Sequence, residues 1–230
     1  MNCENITRHY YETLYSPTIG NESKGLLGFL SRYPHKLMEK NFKQNMDKVL
    51  EVGFGEGEHF KHVKTSTKEY TGIDIDRKRL LQNKYANHVK TQVMNAEKLN
   101  FPNNHFDRVI ATCLLAHLQK PENALHEWRR VLKNNGVCTI YIPLEPSVAL
   151  RLFRLFIMKP QLKKKGFNQY DLWIAREHIN HASRLFCFIK NVFEKDEVRI
   201  LYRPFPINIH SINLFAIVHI RKLSGKKVQR

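Results

Sequence analysis

Absent from this 230-residue chain is any run of about 18 or more uninterrupted apolar residues, so a membrane-spanning helix is not expected. The start, Met1-Asn2-Cys3-Glu4-Asn5, lacks a basic region and an apolar h-region, so no secretory signal is expected and a cytoplasmic location is. Cysteine is scarce. The four residues, at positions 3, 113, 138 and 187, have no zinc-like spacing, so reduced and mostly buried thiols are expected, and no metal site. Acidic residues are in short supply as well. Against 38 Lys and Arg stand 21 Asp and Glu, and 38 minus 21 leaves a formal charge of +17. Such a field attracts polyanions: acidic lipids, nucleotide-sugar or pyrophosphate-linked substrates, or nucleic acid.

What is present suits one large core. The chain is 42% apolar and falls in the ordinary range of a single α/β domain. Strand-like runs at 48–53, 70–75, 89–94, 106–112 and 137–142 alternate with helix-compatible segments, which predicts parallel strands with helical crossovers. The clearest helix starts near Pro121, carries Ala124, Leu125, Trp128, Val131 and Leu132 on one face, and is expected to stop at Asn134-Asn135-Gly136. Two late runs, Glu197 to Tyr202 and Ser211 to Arg221, suit a final hairpin-like pair.

The first predicted strand runs into Glu51-Val52-Gly53-Phe54-Gly55-Glu56-Gly57, three alternate glycines behind an acid. A glycine-rich turn between strand and helix lets backbone approach a ligand that side chains would obstruct. A second apolar strand ends in Asp74, about 20 residues past Gly53, where such folds place an acid that accepts hydrogen bonds from ribose hydroxyls. Asp76 suits a cap on the helix that follows near Arg77.

From Val49 to about Ile142 the sequence resembles the class I S-adenosylmethionine-dependent methyltransferases. The matches come in order: Glu51-x-Gly53-x-Gly55-x-Gly57, Gly72-Ile73-Asp74-Ile75, Asn95-Ala96-Glu97-Lys98-Leu99-Asn100-Phe101-Pro102, and Phe106-Asp107-Arg108-Val109-Ile110-Ala111. The resemblance implies a Rossmann-like, seven-stranded, mostly parallel doubly wound sheet with helices on both faces. One of the last two strands would run antiparallel, and an insertion, 145–181, would lie between strands five and six. It also implies S-adenosylmethionine as cofactor. Gly53, Gly55 and Gly57 would pass under its methionine part, Glu51 would orient its amino group, and Asp74, with Ile75 beside it, would take the ribose. Asn95, where the family usually has Asp, and Ala96 would meet the adenine, and Cys113 would stand near the sulfonium. Residues 1–45 would form a helical lid on a methyltransferase domain spanning 46–230, with Tyr10, Tyr11 and Tyr15 as candidate lining and a helix around Pro34 to Glu39.

The acceptor is expected at the carboxyl edge of strand five, where Ile142-Pro143-Leu144-Glu145-Pro146 leaves the sheet. The stretch Val148 to Lys159 is apolar with cations three apart, Arg151 and Arg154, followed by Lys163-Lys164-Lys165. Two readings stand: a buried helix with snorkelling arginines, or a helix lying on an anionic membrane surface through 148–165. Further on, Glu177-His178-Ile179-Asn180, together with the Pro-Leu-Glu-Pro exit, resembles small-molecule methyltransferases of bacterial surface polysaccharide or lipid-linked sugar synthesis. That nominates Glu145, Glu177 and His178 for the acceptor site, with His181 a lesser neighbour.

A hydroxyl acceptor benefits from a general base, and His117 or His178 suits that role. The chain has neither an Asn-Pro-Pro-Tyr or Asp-Pro-Pro-Tyr motif nor a Pro-Cys loop, and its basic residues form no recognisable RNA-binding module. The expectation is methyl transfer to a small-molecule hydroxyl, sugar-like or lipid-linked. The alternatives are an RNA methyltransferase or a non-catalytic cofactor-binding partner protein.

Overall fold

The structure, a computed structural model, describes Tyr10 and residues 24–40, 42, 46–64 and 66–224. Its strands are β1 Lys48–Val52, β2 Glu69–Asp74, β3 Lys90–Val93, β4 Phe106–Thr112, β5 Leu132–Pro143, β6 Glu197–Arg203 and β7 Phe215–Arg221. Its helices are α1 Gly25–Glu39, α2 Arg77–Leu81, α3 Pro121–Val131, α4 Val148–Phe153, α5 Lys159–Lys164, α6 Tyr170–Glu177 and α7 Ala182–Val192. The seven strands form one sheet in the order 3-2-1-4-5-7-6. All neighbouring pairs from β3 to β5 are parallel, and β7 alone runs antiparallel to its neighbours β5 and β6.

This order follows from which strands can be buried on both faces. Val49, Leu50 and Val52 of β1 and Val109, Ile110 and Ala111 of β4 are fully enclosed, so the apolar centre of the sheet needs cover on each side. On one side Ala124, Leu125, Trp128 and Val131 of α3 join Leu185 and Ile189 of α7. On the other, Leu37 and Met38 of α1 join Val49, Tyr70, Ile110 and Ile217. Strand order reverses between β1 and β4, which opens a crevice at their carboxyl ends, between the loop at Gly53 and the loop at Cys113.

Beyond β5 the chain makes a cap of α4, a π-helical turn at Arg154–Met158, α5 and α6. This cap has a small core of its own, Met158, Leu162, Phe167, Tyr170 and Trp173, which Tyr10 joins by stacking on Trp173 at 3.8 Å between ring centroids. Among the described residues no helix is long and apolar enough to cross a membrane.

Three expectations need correction. The helix from Pro121 ends at Val131, because Leu132 already pairs with Phe106, and β5 takes over the segment expected to finish the helix. The last strand begins at Phe215, since His210–Ile212 forms a 3-10 turn and the buried Asn213 side chain ties down residues 205–209. Of the described cysteines only Cys138 is buried, with Cys113 half-buried and Cys187 exposed. Cys3, Tyr11 and Tyr15 lie outside the described residues.

Candidate functional site

A cavity of about 360 Å³ occupies the crevice. Its floor is the strand tips and the loops that follow them. Gly53 and Phe54 turn at the end of β1, and both of their N–H groups donate to Ile73 O, at 2.8 and 2.9 Å. Gly53 has φ +73° and Gly55 φ +55°, left-handed values that favour glycine. A Cβ on Gly55 would stand 2.5 Å from the Arg79 guanidinium, the far end of a flexible side chain that would have to move aside. Asp74, 8% exposed at the tip of β2, accepts from the N–H of Gly55 at 2.9 Å and from that of Asp76 at 2.9 Å. A carboxylate has about four acceptor sites, so these two bonds fix its position and leave capacity for a ligand facing the cavity. Asp76 caps α2 by accepting from Lys78 and Arg79 N–H.

Glu51 lines the same end. It accepts a 2.6 Å hydrogen bond from Tyr70 Oη, yet burial pushes its carboxyl up to about 8. A cationic group arriving in the cavity would reverse that desolvation cost, which suits a ligand carrying an amino group. From above, Leu30, Ser31, Pro34 and His35 of α1, together with Tyr10, complete the wall.

The other end of the cavity gathers residues far apart in sequence. Cys113 follows β4 at φ +58° and is held there by its N–H donating to Tyr141 O at 3.1 Å. His117 ends the 3-10 turn Leu115–His117, and His178 caps α6. Their rings meet edge-on at 4.6 Å between centroids. Glu145 lies behind them, accepting from both the His178 ring and the Arg154 guanidinium. Burial opposes its ionisation, but these two partners hold its carboxyl at about 2. Burial keeps His178 below its usual range despite Glu145. His117 goes the other way. Burial would lower it, but Cys113 and Glu177, whose carboxylate is 3.7 Å from Nδ1, raise it to about 9.

Of the residues named from sequence, Glu51, Gly53, Asp74, Cys113, His117, Glu177 and His178 line this one cavity, with Glu145 directly behind His178. Others stand apart. Gly55 and Gly57 shape the loop without lining the cavity, Ile75 is 74% exposed, and Ala96 is buried beneath Trp128, accepting from its Nε1–H at 3.2 Å. Asn95 is exposed and its carbonyl accepts the Glu97 N–H at 2.8 Å, closing a local turn. His181 is exposed at the start of α7.

Arg154 corrects an expectation. Rather than sharing a solvent-facing side with the exposed Arg151, it turns inward and donates to Glu145. Tyr141, Tyr170 and Trp173, which also line the cavity, carried no signal in the sequence. Asn180 is buried and its Nδ2 donates to Leu115 O at 3.1 Å and Leu118 O at 2.7 Å, which anchors the His178 segment to the His117 turn.

Comparison with known proteins agrees with this geometry. A family model described as a methyltransferase domain matches residues 50–140. The ubiquinone/menaquinone biosynthesis C-methyltransferase UbiE of Azotobacter vinelandii is 37% identical over 78 residues, 34% of this chain and 31% of that protein. The enzyme of the same name from Pseudomonas fluorescens is 32% identical over 114 residues, 45% of this chain and 44% of that protein. The chain thus matches less than half the length of these curated relatives. In fold it resembles a protein of Pyrococcus horikoshii, with TM-score 0.61 and 19% identity over 94% of this chain and 98% of that one. It also resembles an S-adenosylmethionine-dependent methyltransferase of Thermotoga maritima, with TM-score 0.58 and 18% identity over 84% and 92%. The left-handed glycine turn, the anchored Asp74 and the buried Glu51 fit the cofactor of such proteins, S-adenosylmethionine. The matched residues 50–140, less than half of the chain, are thus similar to S-adenosylmethionine-dependent methyltransferases, and the seven-stranded sheet has their fold.

Proposed function

We propose that this protein transfers a methyl group from S-adenosylmethionine to a hydroxyl of a small acceptor, sugar-like or lipid-linked, presented at an anionic membrane surface. One observation carries the reading: a single cavity joins the Glu51, Gly53 and Asp74 end to the Cys113, His117, Glu177 and His178 end. A donor held at the first end and an acceptor at the second would meet without crossing solvent, and such positioning supplies much of the rate of a displacement. When bound, the cofactor supplies an electrophilic methyl group on sulfur. Glu51 and Asp74 would hold its polar ends, and α1 with Tyr10 would cover it.

At the acceptor end His178 is the ring kept neutral, with Glu145 fixing its orientation, and it receives the acceptor's proton. His117, which holds its own proton at neutral pH, orients the acceptor together with Glu177. Arg154 keeps Glu145 ionised.

The membrane part of the proposal rests on the outside of the cap. Leu150, Phe153, Arg154 and Met158 line the cavity, whereas Val148, Leu152, Leu155 and Phe156 of the same helical stretch are 60%, 46%, 46% and 70% exposed. Phe205, Ile207, Ile209 and Ile212 add exposed apolar surface on the loop before β7, which touches α4 through its 3-10 turn. Arg151 and Lys163, Lys164 and Lys165 are exposed beside the apolar groups. That combination suits insertion into the acyl boundary with cations on anionic headgroups.

The relatives favour a second reading within the same scheme, a carbon rather than an oxygen acceptor, since those proteins are C-methyltransferases of quinone biosynthesis. A labelled-methyl assay separates the two. Label from S-adenosylmethionine should enter the lipid fraction of a cell extract, and chemical cleavage of methyl ethers releases it only if oxygen was methylated. Label confined to RNA, or no turnover with any fraction, would overturn the proposal. Flotation should require anionic vesicles and weaken when Arg151 and Lys163 to Lys165 become Gln.

A further inference from the structure

Three side chains of metal-binding type converge at the acceptor end. Cys113 after β4, His117 at the end of the 3-10 turn and His178 after α6 each offer one donor atom, all within 4.8 Å of one another. Glu145 Oε1 is hydrogen-bonded to Nδ1 of His178, and Glu177 Oε2 stands 3.7 Å from Nδ1 of His117, beyond hydrogen-bond length but near enough to close on it. Metal-ligating histidines almost always have such a partner, because a carboxylate on one ring nitrogen fixes the tautomer and leaves the opposite nitrogen to ligate. Cys113 holds a left-handed backbone that residues other than glycine rarely adopt, and Asn180 ties the His178 segment to the His117 turn. The donors thus come from elements already fixed to one another.

We propose that Cys113, His117 and His178 bind one divalent cation of the zinc type, with its fourth position open to the cavity for a heteroatom of the acceptor. One thiolate and two imidazoles select a borderline-soft ion over magnesium or calcium. Three protein ligands with one open position is the pattern of catalytic zinc. Charge is balanced, since the thiolate, Glu145 and Glu177 offset the two charges of the cation and the one on Arg154. On binding, the thiol proton of Cys113 and any imidazolium proton pass to solvent. The role given to the open position rests on the proposed methyl transfer: with the cation in place His178 is a ligand rather than the base, the cation would polarise the acceptor hydroxyl, and the hydroxyl proton would pass to solvent as oxygen accepts the methyl group. The cation site itself does not rest on that reading.

The test titrates chelator-treated, full-length protein with Co²⁺ and then Zn²⁺. One equivalent of Co²⁺ should give the visible bands of a tetrahedral site and a near-ultraviolet thiolate-to-cobalt charge-transfer band, both removed by Zn²⁺. Cys113→Ser should abolish the charge-transfer band. Glu177→Gln, which keeps all three ligands, should weaken Zn²⁺ binding by about 10- to 100-fold. The wild-type spectrum is decisive even if a variant does not fold. Failure to bind one equivalent, or a charge-transfer band that survives Cys113→Ser, overturns the site. Calorimetry with S-adenosylmethionine on the metal-free protein separates the two proposals. Cofactor binding without metal uptake removes only the metal site, and metal uptake without cofactor binding removes only the methyl-transfer reading.

Discussion

Two clusters in this molecule have the same composition and different surroundings. In one, Glu39 of α1 receives Arg108 Nη2 at 2.7 Å and His59 Nε2 at 3.0 Å, with the Arg108 and His59 side chains fully enclosed and Phe42 lying over the guanidinium at 3.7 Å. In the other, Glu145 receives Arg154 and His178, with side chains 13%, 17% and 7% exposed beside the cavity. Burial opposes both carboxylates, and hydrogen bonds from a histidine and an arginine hold both at about 2. The first cluster joins a helix of the N-terminal segment to the middle of β4, so it works as a latch. The second faces the space where chemistry would occur. A charged triad is thus assigned a role by what lies next to it, and its composition alone says little.

Substitution should pull the two apart, most strongly at the arginines. Arg108→Ala leaves Glu39 charged in the core and should cost about 3–5 kcal/mol of stability by denaturant unfolding. Arg154→Ala, with water near, should unfold close to wild type while losing turnover. Equal destabilisation by both would erase the distinction.

Acid should load both carboxylates, and the Glu39 share can be isolated by substitution. The Glu39 carboxyl lies below its unfolded value of 4.5, so its stabilisation is complete above about pH 4.5 and disappears as pH falls toward about 2, an effect of about 3 kcal/mol. Burial lowers His35 and His59 from 6.5, so the unfolded chain takes up those protons first and stability starts to fall below about pH 6.5. Glu145, also held at about 2, adds to the loss below about pH 4.5, while Glu51 and His117, raised to about 8 and about 9, work the opposite way and add stability as pH falls from 8. The share of Glu39 is therefore read as a difference: the gap between the unfolding midpoints of wild type and Glu39→Gln should close progressively from about pH 4.5 toward pH 3.

Smaller effects concern the cofactor end. Asp74→Ala should weaken S-adenosylmethionine by about 10- to 100-fold in calorimetry, because a charged acceptor and the anchor of the Gly55 N–H go together. Unchanged affinity would remove the ribose assignment. Glu51 holds its proton up to about pH 8, and a cationic amino group would expel it. Affinity should then rise with pH, up to about tenfold per unit below pH 8, with one proton released in paired-buffer calorimetry. Glu51→Gln should flatten that profile.

The cofactor end was legible in the sequence because its parts are local. A strand, a glycine turn and an acid about 20 residues later follow from backbone rules that operate within one β-turn-α unit. At the other end of the cavity, Glu145, Glu177, His178 and His117, named for an acceptor, and Cys113, named for the cofactor, could be picked out singly but not as one geometry. What joins them is Asn180 reaching back to Leu115 and Leu118, and Arg154 turned inward onto Glu145, neither of which leaves a periodic trace. The latch was illegible for a similar reason, since Glu39, His59 and Arg108 read singly as ordinary charged residues. Helix α3 ended early because pairing of Leu132 with Phe106 overrode the Asn-Asn-Gly stop signal. At Asn95, named for a ligand contact, the side-chain carbonyl also closes a turn by accepting the Glu97 N–H, which the sequence did not show.

The cap stretch from Val148 to Met158 is a wall one helix thick, lining the cavity with one side and carrying exposed leucines and Phe156 on the other. A partition that thin transmits whatever presses on it. If its outer side rests in lipid, turnover should follow the number of enzyme molecules per unit of bilayer area and fall when the acceptor is diluted within the plane, even at constant bulk concentration. The rate law of such a catalyst is two-dimensional, and assays in detergent-free buffer would read it as nearly inert.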